Sequence, residues 1–194
     1  MEKEPLFGAG KERGAKMKNV LILSGSPRAK GNSNILCDAF MRGAQEAGNQ
    51  VEKVLVSRLK VTGCLGCNVC KRNGGECVQK DDMAIVREKM IGADVIVLAS
   101  PIYFYSMTAQ LKTVLDRCYA FMDALAGKEF YYIISCAADS VAYTETMVAS
   151  LRGFTCCLPD SAEKGIIYGI NAPEIGDVRK GDAVELAYEA GKKI

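Results

Sequence analysis

Residues 19–34 read NVLILSGSPRAKGNSN, an apolar run that passes directly into a loop rich in serine, asparagine and glycine. The run at 19–24 is typical of a strand that is buried on both faces of a parallel sheet. The polar loop leads into a segment at 33–47 whose apolar residues have helical spacing. A strand, a polar loop and a helix in this order predict the first unit of an alternating α/β sheet.

Strand-like and helix-like segments alternate through the rest of the chain. Continuous apolar runs predict strands at 51–56, 94–100, 129–136 and 165–170, and helical spacing predicts helices at 81–90, 108–122, 141–157 and 182–193. Such alternation predicts parallel βαβ units with right-handed crossovers. We therefore expect a flavodoxin-like, three-layer α/β sandwich with a five-stranded parallel sheet of order 2-1-3-4-5. Its ligand site would lie beyond the carboxyl ends of strands one and three.

The composition is that of one ordinary globular domain. The 194 residues are 49% apolar and 25% charged, with a formal net charge of +2, which fits a single folded unit at 19–194. Residues 1–18 carry few core-forming side chains, so we expect a flexible N-terminal extension there. The sequence shows no basic footprint for nucleic acid, no membrane span and no secretion signal. We expect a cytoplasmic protein that binds neither nucleic acid nor membrane.

The absence of two residue types limits the kinds of catalytic and metal site that the chain can form. The chain contains no histidine and no tryptophan. Without histidine, a Ser-His or Cys-His nucleophilic pair and a His-ligated zinc site are excluded. The nine cysteines are an odd number without a secretion signal, which favours reduced thiols or metal ligands over disulfides.

The loop after the first strand is a candidate anion site. Free backbone N–H groups and the positive end of the helix dipole favour an anion at the start of the helix. Neither the dinucleotide fingerprint nor the Walker lysine motif is present. An ordinary turn and helix cap is the alternative interpretation. The side chains that would supply donors are Ser26, Arg28, Asn32, Ser33 and Asn34.

The loop after the third strand places three aromatic residues in a row. Exposed aromatic side chains at the carboxyl edge of a sheet suit a flat ligand, on which they can stack. The alternative is that Tyr103 or Phe104 packs under the next helix or at a dimer contact. The candidate ligand-contacting residues of this loop are Pro101, Ile102, Tyr103, Phe104 and Tyr105.

A cysteine-rich insertion at 64–83 carries Cys64, Cys67 and Cys70 at C-x2-C-x2-C spacing, followed by Cys77. Such a run can supply four thiolates to a [4Fe–4S] cluster. Structural zinc usually requires more widely separated pairs, and a thioredoxin-like dithiol normally opens a helix. A loop that holds no metal is a further alternative. The remaining cysteines in helical segments, which we expect to be small buried apolar residues, are Cys37, Cys118, Cys156 and Cys157.

The segments GSPRAKGNSN and SPIYFYSMTAQLKTVLDR, each after an apolar strand, resemble the flavodoxin-like NAD(P)H-dependent FMN reductase family. The chain is most similar to the iron–sulfur flavoprotein branch of that family. The resemblance implies that the first loop holds the FMN phosphate and that the Pro101 loop lines the ribityl chain and ring edge. Ser135 and Ala137, after the fourth strand, would close over the polar edge of the flavin. In that branch the four cysteines of the insertion would hold the cluster, whereas relatives without a cluster keep a similar loop.

The resemblance implies an oxidoreductase in which NAD(P)H is the co-substrate and FMN passes electrons to a quinone, flavin, aromatic or iron–sulfur acceptor. No catalytic acid or base is required, because the flavin carries the chemistry. One alternative is an electron carrier that works with ferredoxin without oxidising NAD(P)H, and another is a cofactor-free thiol sensor or interaction protein. A homodimer or homotetramer is expected by resemblance. Lys112, Asp116 and Arg117 match the family's K-x3-DR pattern, and we expect a structural or interfacial role for them, because an ion pair on a helix surface is usually just solvated.

Overall fold

Five parallel strands form one sheet in a computed structural model that describes residues 17–194. The strand order is β2-β1-β3-β4-β5, which confirms the predicted flavodoxin-like order. Each neighbouring pair runs parallel, with Val20 of β1 opposite Val51 of β2 and Val95 of β3. The strands are β1 Asn19–Ser24, β2 Gln50–Leu55, β3 Val95–Pro101, β4 Glu129–Ser135 and β5 Ala162–Gly169.

Five α-helices cover the two faces of this sheet. They are α1 Asn32–Glu46, α2 Met83–Gly92, α3 Ala109–Arg117, α4 Glu145–Thr155 and α5 Ala183–Lys192. Helices α1 and α5 share an apolar core with one face, and α2, α3 and α4 share a core with the other. The predicted three layers are therefore present.

Side-chain alternation along the strands divides the core between the layers. Val20 and Ile22 of β1 pack with α1 and α5, whereas Leu21 and Leu23 pack with α2, α3 and α4. Both faces are buried, which explains why β1 reads as a continuous apolar run instead of an alternating one.

Three element boundaries differ from the sequence-based expectation by three or more residues. Helix α4 begins at Glu145, four residues later than predicted, after a short 3₁₀ turn at Val141–Thr144. Strand β5 begins three residues earlier than predicted, because the Ala162 amide donates to the Lys128 carbonyl and extends the ladder through polar residues. Helix α3 ends at Arg117 and continues only as short 3₁₀ turns, whereas the apolar spacing predicted a helix to residue 122. The earlier end leaves Arg117 at the helix terminus.

The predicted flexible extension at 1–18 lies outside the described residues except for Met17 and Lys18. The Lys18 amide donates to Asn49 Oδ1 at 3.0 Å, and its ammonium pairs with Glu129 at 2.8 Å. No helix within residues 17–194 has the length and apolar character required to cross a bilayer.

Helices α1 and α5 approach each other at two glycines. A Cβ added at Gly43 would lie 2.0 Å from the Tyr188 carbonyl oxygen, and one added at Gly191 would lie 2.1 Å from the Phe40 carbonyl oxygen. Only a residue without a side chain permits this backbone contact. The polar loop leads directly into α1. The packing of α1 against α5 therefore helps to position that loop.

Replacing Gly43 by alanine is expected to lower the free energy of unfolding by about 2 kcal/mol, because the added methyl group forces the two helices apart. Gly153→Ala in α4 is the matched control, since a Cβ there meets no atom within 4 Å. The control should be neutral or slightly stabilising. Urea unfolding measures both variants, and equal stability of the two would contradict the close contact.

Candidate functional site

The loops that follow β1, β3, β4 and β5 are hydrogen-bonded to one another at the carboxyl edge of the sheet. The Gly25 amide donates to the Ala99 carbonyl at 2.8 Å, and the Ile102 amide donates to the Ser135 carbonyl at 2.8 Å. The Ala172 amide, after β5, donates to the Cys136 carbonyl at 2.9 Å. These bonds surround an open pocket at the carboxyl edge of the sheet.

This pocket, called the edge pocket below, brings together most of the residues predicted to contact a ligand. Three of those predicted residues do not line it, namely Asn34, Phe104 and Tyr105. The predicted residues that do line it are Ser26, Arg28, Asn32, Ser33, Pro101, Ile102, Tyr103, Ser135 and Ala137.

Helix α1 begins at the edge pocket with an open N-terminus. Its N-cap residue, Gly31, has no side chain to cap it, and no acidic residue occupies the first turn. The first N–H groups of a helix have no acceptor within the helix and carry the positive end of its dipole. The exposed guanidinium group of Arg28 adds a full positive charge beside them. An anion is therefore favoured here.

The polar side chains of the first loop have different roles. Ser33 is buried, and its hydroxyl lies 2.7 Å from that of Ser135, which links the loops after β1 and β4. Asn32 donates to the carbonyls of Ala172 and Glu174 and accepts from the Gly176 amide. The Asn32 side chain therefore fastens the loop to the segment after β5, which leaves its backbone N–H for a ligand.

Asn34 supports the loop after β1 from the buried side. Its side-chain amide donates to the Arg28 carbonyl at 3.0 Å, and the residue is completely buried. The hydroxyl of Ser26 accepts from the Arg28 amide at 3.3 Å. Asn34 therefore supports the turn around Arg28 instead of lining the pocket.

The aromatic loop turns sharply, and two of its rings point away from the edge pocket. Tyr103 and Ser106 exchange backbone hydrogen bonds, and Phe104 and Tyr105 between them have φ values of +46° and +63°. Phe104 is fully exposed, and the Tyr105 ring lies 6.3 Å from the Tyr143 ring. Tyr103 is the one aromatic side chain of the three that lines the pocket.

Sequence reasoning missed the part of the pocket that follows β5. Its wall includes Ala172, Pro173 and Ile175, which carry no chemical motif; their position after a parallel strand was the available signal. Cys136 also lines the pocket. Burial raises the pKa of the Cys136 thiol, so this group is neutral near pH 7.

The four cysteines of the insertion line one small concave cavity, called the cysteine cavity below. Cys64 and Cys67 are exposed, Cys70 and Cys77 are half-buried, and all four are free thiols. Left-handed backbone at Gly66, with φ +62°, turns the loop so that the Gly66 amide donates to Cys64 Sγ at 3.4 Å. The donor set fits an iron–sulfur cluster in kind, because thiolates are the ligands of such clusters.

The four cysteine side chains of the insertion are not arranged as the ligands of one metal ion. Within residues 17–194, no three cysteine, aspartate or glutamate side chains are grouped closely enough to hold a metal ion. The four thiols therefore share one cavity wall without being grouped as the ligands of a single metal ion.

Arg117 fastens both ends of the cysteine insertion to the end of α3. Its guanidinium donates to both carboxylate oxygens of Asp81 at 2.8 and 3.1 Å and to the Thr62 carbonyl at 2.8 Å. The Arg117 side chain is only 2% exposed. Arg117 is therefore buried in a structural contact, which fits the expected structural role, whereas Lys112 and Asp116 form an exposed pair on the helix surface.

The ion pair changes the titration of both partners. Burial alone would raise the pKa of Asp81, but hydrogen bonds from Arg117 and from the amides of Thr62 and Met83 outweigh it and hold the pKa far below its usual value. Burial opposes the charge of Arg117, yet Asp81 and, to a smaller extent, Cys77 raise its pKa. Both groups are charged at neutral pH.

The edge pocket and the cysteine cavity lie at opposite ends of α3. The Thr108 hydroxyl, at the start of α3, donates to the Gly25 carbonyl beside the edge pocket. Arg117, at the other end, lines the cysteine cavity. A helix rises 1.5 Å per residue, so the nine residues between these positions separate the two sites by about 13 Å along the helix.

The remaining cysteines divide into two pairs. Cys37 and Cys118 are completely buried, as predicted, and burial raises the pKa of Cys37 to about 12. Cys156 and Cys157 are exposed at the end of α4, so the prediction that they are buried is wrong. Both thiols donate to the Gly153 carbonyl at the last turn of the helix.

Comparison with known proteins relates the whole arrangement to flavoproteins. The family model described as NADPH-dependent FMN reductase matches residues 18–158, more than half of the chain. An iron-sulfur flavoprotein of Archaeoglobus fulgidus is 43% identical over 114 residues, which cover 58% of this chain and 51% of that protein. An iron-sulfur flavoprotein of Methanocaldococcus jannaschii is 39% identical over 98 residues, which cover 50% of each protein. The chain spans about half the length of these relatives.

Among solved structures, an NAD(P)H:quinone oxidoreductase from Methanothermobacter marburgensis is similar over 92% of this chain and 96% of its own. The TM-score is 0.69 and the sequence identity is 18%. At this identity the likeness shows a common fold.

Replacing Asp81 by asparagine is expected to lower the free energy of unfolding at pH 7 by about 3 kcal/mol, because a buried guanidinium loses its partner. The folded pKa of Asp81 is depressed, so its stabilisation is complete above the unfolded pKa of about 4 and is lost as the pH falls below it. The difference between variant and wild type should therefore shrink in acid. Urea unfolding at several pH values measures this, with Asp116→Asn as the exposed control; a constant difference across pH would contradict the assignment.

Proposed function

The chain belongs to the NADPH-dependent FMN reductase family, and from that premise we propose that it is an FMN-binding oxidoreductase. Electrons would pass from NAD(P)H through FMN to a quinone, flavin, aromatic or iron–sulfur acceptor. One observation carries this proposal: the uncapped N-terminus of α1 opens onto the edge pocket at the point between β1 and β3 where the strand order reverses. Ligands of doubly wound sheets bind at that position.

The phosphate end of FMN fits the start of α1. The backbone N–H groups of the first turn and the Arg28 guanidinium would bind the phosphate. Ser26 and Ser33 lie in the wall beside them. The Ser33–Ser135 and Asn32 contacts hold this wall in place, which lowers the ordering cost of binding.

The remainder of the edge pocket suits the ribityl chain and the ring. Pro101, Ile102 and Tyr103 supply an apolar wall on one side, and Ala172 and Ile175 supply one on the other. The backbone between Ser135 and Ala137 offers polar groups for the flavin edge. Bound flavin supplies the hydride and electron chemistry, while these residues bind it, orient it and limit the access of water.

We also assign Cys64, Cys67, Cys70 and Cys77 as ligands of a [4Fe–4S] cluster. Four free thiols around one cavity carry this assignment, and the similarity to two iron-sulfur flavoproteins supports it. The same assignment favours a second candidate function. In that function the protein is an electron carrier that exchanges electrons with ferredoxin and does not oxidise NAD(P)H.

Anaerobic mixing separates the two functions. Bleaching of bound flavin on addition of NADH or NADPH supports the reductase. Bleaching by reduced ferredoxin, without bleaching by NADH or NADPH, supports the electron carrier. Protein that contains no bound flavin overturns both functions. A homodimer or homotetramer stays a prediction, which sedimentation of the full chain tests.

Replacing Arg28 by glutamate is expected to weaken FMN binding at least about tenfold, because a charged hydrogen bond to the phosphate contributes roughly 1.5–3 kcal/mol. The quenching of flavin fluorescence on titration of apoprotein measures the dissociation constant. Lys30→Glu is the matched control, since Lys30 is exposed two residues away and does not line the pocket. Riboflavin, which has no phosphate, should bind both variants alike; equal FMN affinity of the two variants would refute the phosphate assignment.

Replacing Cys67 by serine is expected to remove most of the iron from anaerobically reconstituted protein, which should otherwise hold about four iron atoms per chain. Cys156→Ser is the control, because Cys156 is exposed but lies outside the insertion. Iron analysis and the visible spectrum measure the outcome. Wild-type protein without iron after anaerobic reconstitution would overturn the cluster assignment.

A further inference from the structure

We infer that Arg117 is a positioning residue that also sets the reduction potential of the cysteine site. It would do so as the one cation built into the wall of the cysteine cavity. This inference rests on the proposed iron–sulfur assignment and extends it to a residue outside the cysteine loop. Arg117 belongs to α3, forty residues after the last of the four cysteines.

The placement of the ion pair is asymmetric with respect to the cavity. Arg117 lines the cysteine cavity, but its partner Asp81 does not. Among the residues of 17–194 that line the cavity, Arg117 is the one basic side chain, and no aspartate or glutamate is present. The positive member of the pair therefore contributes to the wall of the cavity that the four cysteines share, whereas Asp81 lines an adjoining cavity beside Cys77.

Arg117 retains an unused donor at this position. Its two terminal nitrogens are occupied by Asp81 and Thr62, whereas its buried Nε has no hydrogen-bond partner in the described part of the chain. A buried donor without a partner costs free energy that a charged acceptor recovers. Arg117 and Cys77 both line the cysteine cavity, so a cysteine sulfur or cluster sulfide is the acceptor that we assign to this donor.

The physical effect follows from charge. Four thiolates concentrate negative charge, and reduction adds one more electron to the same volume. A buried cation beside that volume favours the reduced state, because attraction is strong where water is excluded. Net charge and hydrogen bonds to sulfur are among the factors that set iron–sulfur potentials. Arg117 therefore raises the potential, while Asp81 on its far side limits the effect.

The test is a redox titration of anaerobically reconstituted full-length protein, followed by the electron paramagnetic resonance signal of the reduced cluster. Arg117→Gln should lower the midpoint potential by the equivalent of at least a tenfold change in the one-electron equilibrium, about 59 mV. Arg117→Lys keeps the charge and should recover most of the loss. Lys112→Gln, which removes an exposed cation from the same helix, is the control and should not shift the potential.

The Asp81→Asn variant should shift the midpoint potential in the opposite direction. It also provides a test if the Arg117→Gln variant binds no iron. Removing the carboxylate leaves Arg117 uncompensated, so the potential should rise. A role in folding alone would lower iron content or stability in both variants without opposite shifts in potential. The inference is overturned if iron-loaded Arg117→Gln has the wild-type midpoint potential. It is also overturned if the midpoint potential of Asp81→Asn is lowered. Wild-type protein that binds no iron overturns the cluster assignment itself, which is a distinguishable result.

Discussion

The parallel pairing of β1 with both β2 and β3 is the constraint on which the rest of the structure depends. A strand with parallel neighbours on both sides and helices on both faces has no solvated surface, so it must be apolar throughout. Parallel strands also end at the same edge, which brings the loops after β1, β3, β4 and β5 together. The edge pocket is the direct result, and its walls come from segments as distant in sequence as Ser26 and Ala172.

A second interaction, the Arg117–Asp81 ion pair, organises the opposite end of α3. Surface ion pairs contribute little because water screens them, but this pair is buried, and Arg117 also binds the carbonyl of Thr62. The two ends of the cysteine insertion are therefore held while the residues between them stay exposed. This arrangement combines ends that are held in place with an exposed loop between them. It also explains how a long polar insertion is tolerated beside the apolar core around α3.

The residue types that follow each predicted strand were enough to predict much of the candidate site from the sequence. Ser26, Arg28 and Tyr103 line the edge pocket, and each was predicted because small polar or aromatic residues follow a buried strand. Asn34 and Phe104 followed the same pattern but do not line the pocket. Backbone geometry decided this: Asn34 points inward to the Arg28 carbonyl, and left-handed backbone at Phe104 turns its ring to solvent. Spacing in the sequence carries no information about such turns.

The sequence by itself determined the class of fold and the kinds of donor, because apolar runs such as the one in β1 must be buried and four cysteines within fourteen residues place four thiols in one loop. Only the tertiary structure decided which side chains are free to act. Asn32 is fully engaged with the segment after β5, and Arg117 is buried against Asp81 instead of solvated. It also placed the edge pocket and the cysteine cavity at opposite ends of α3. The reason is physical: burial and hydrogen-bond partners depend on contacts between residues far apart in the chain, which local periodicity cannot specify.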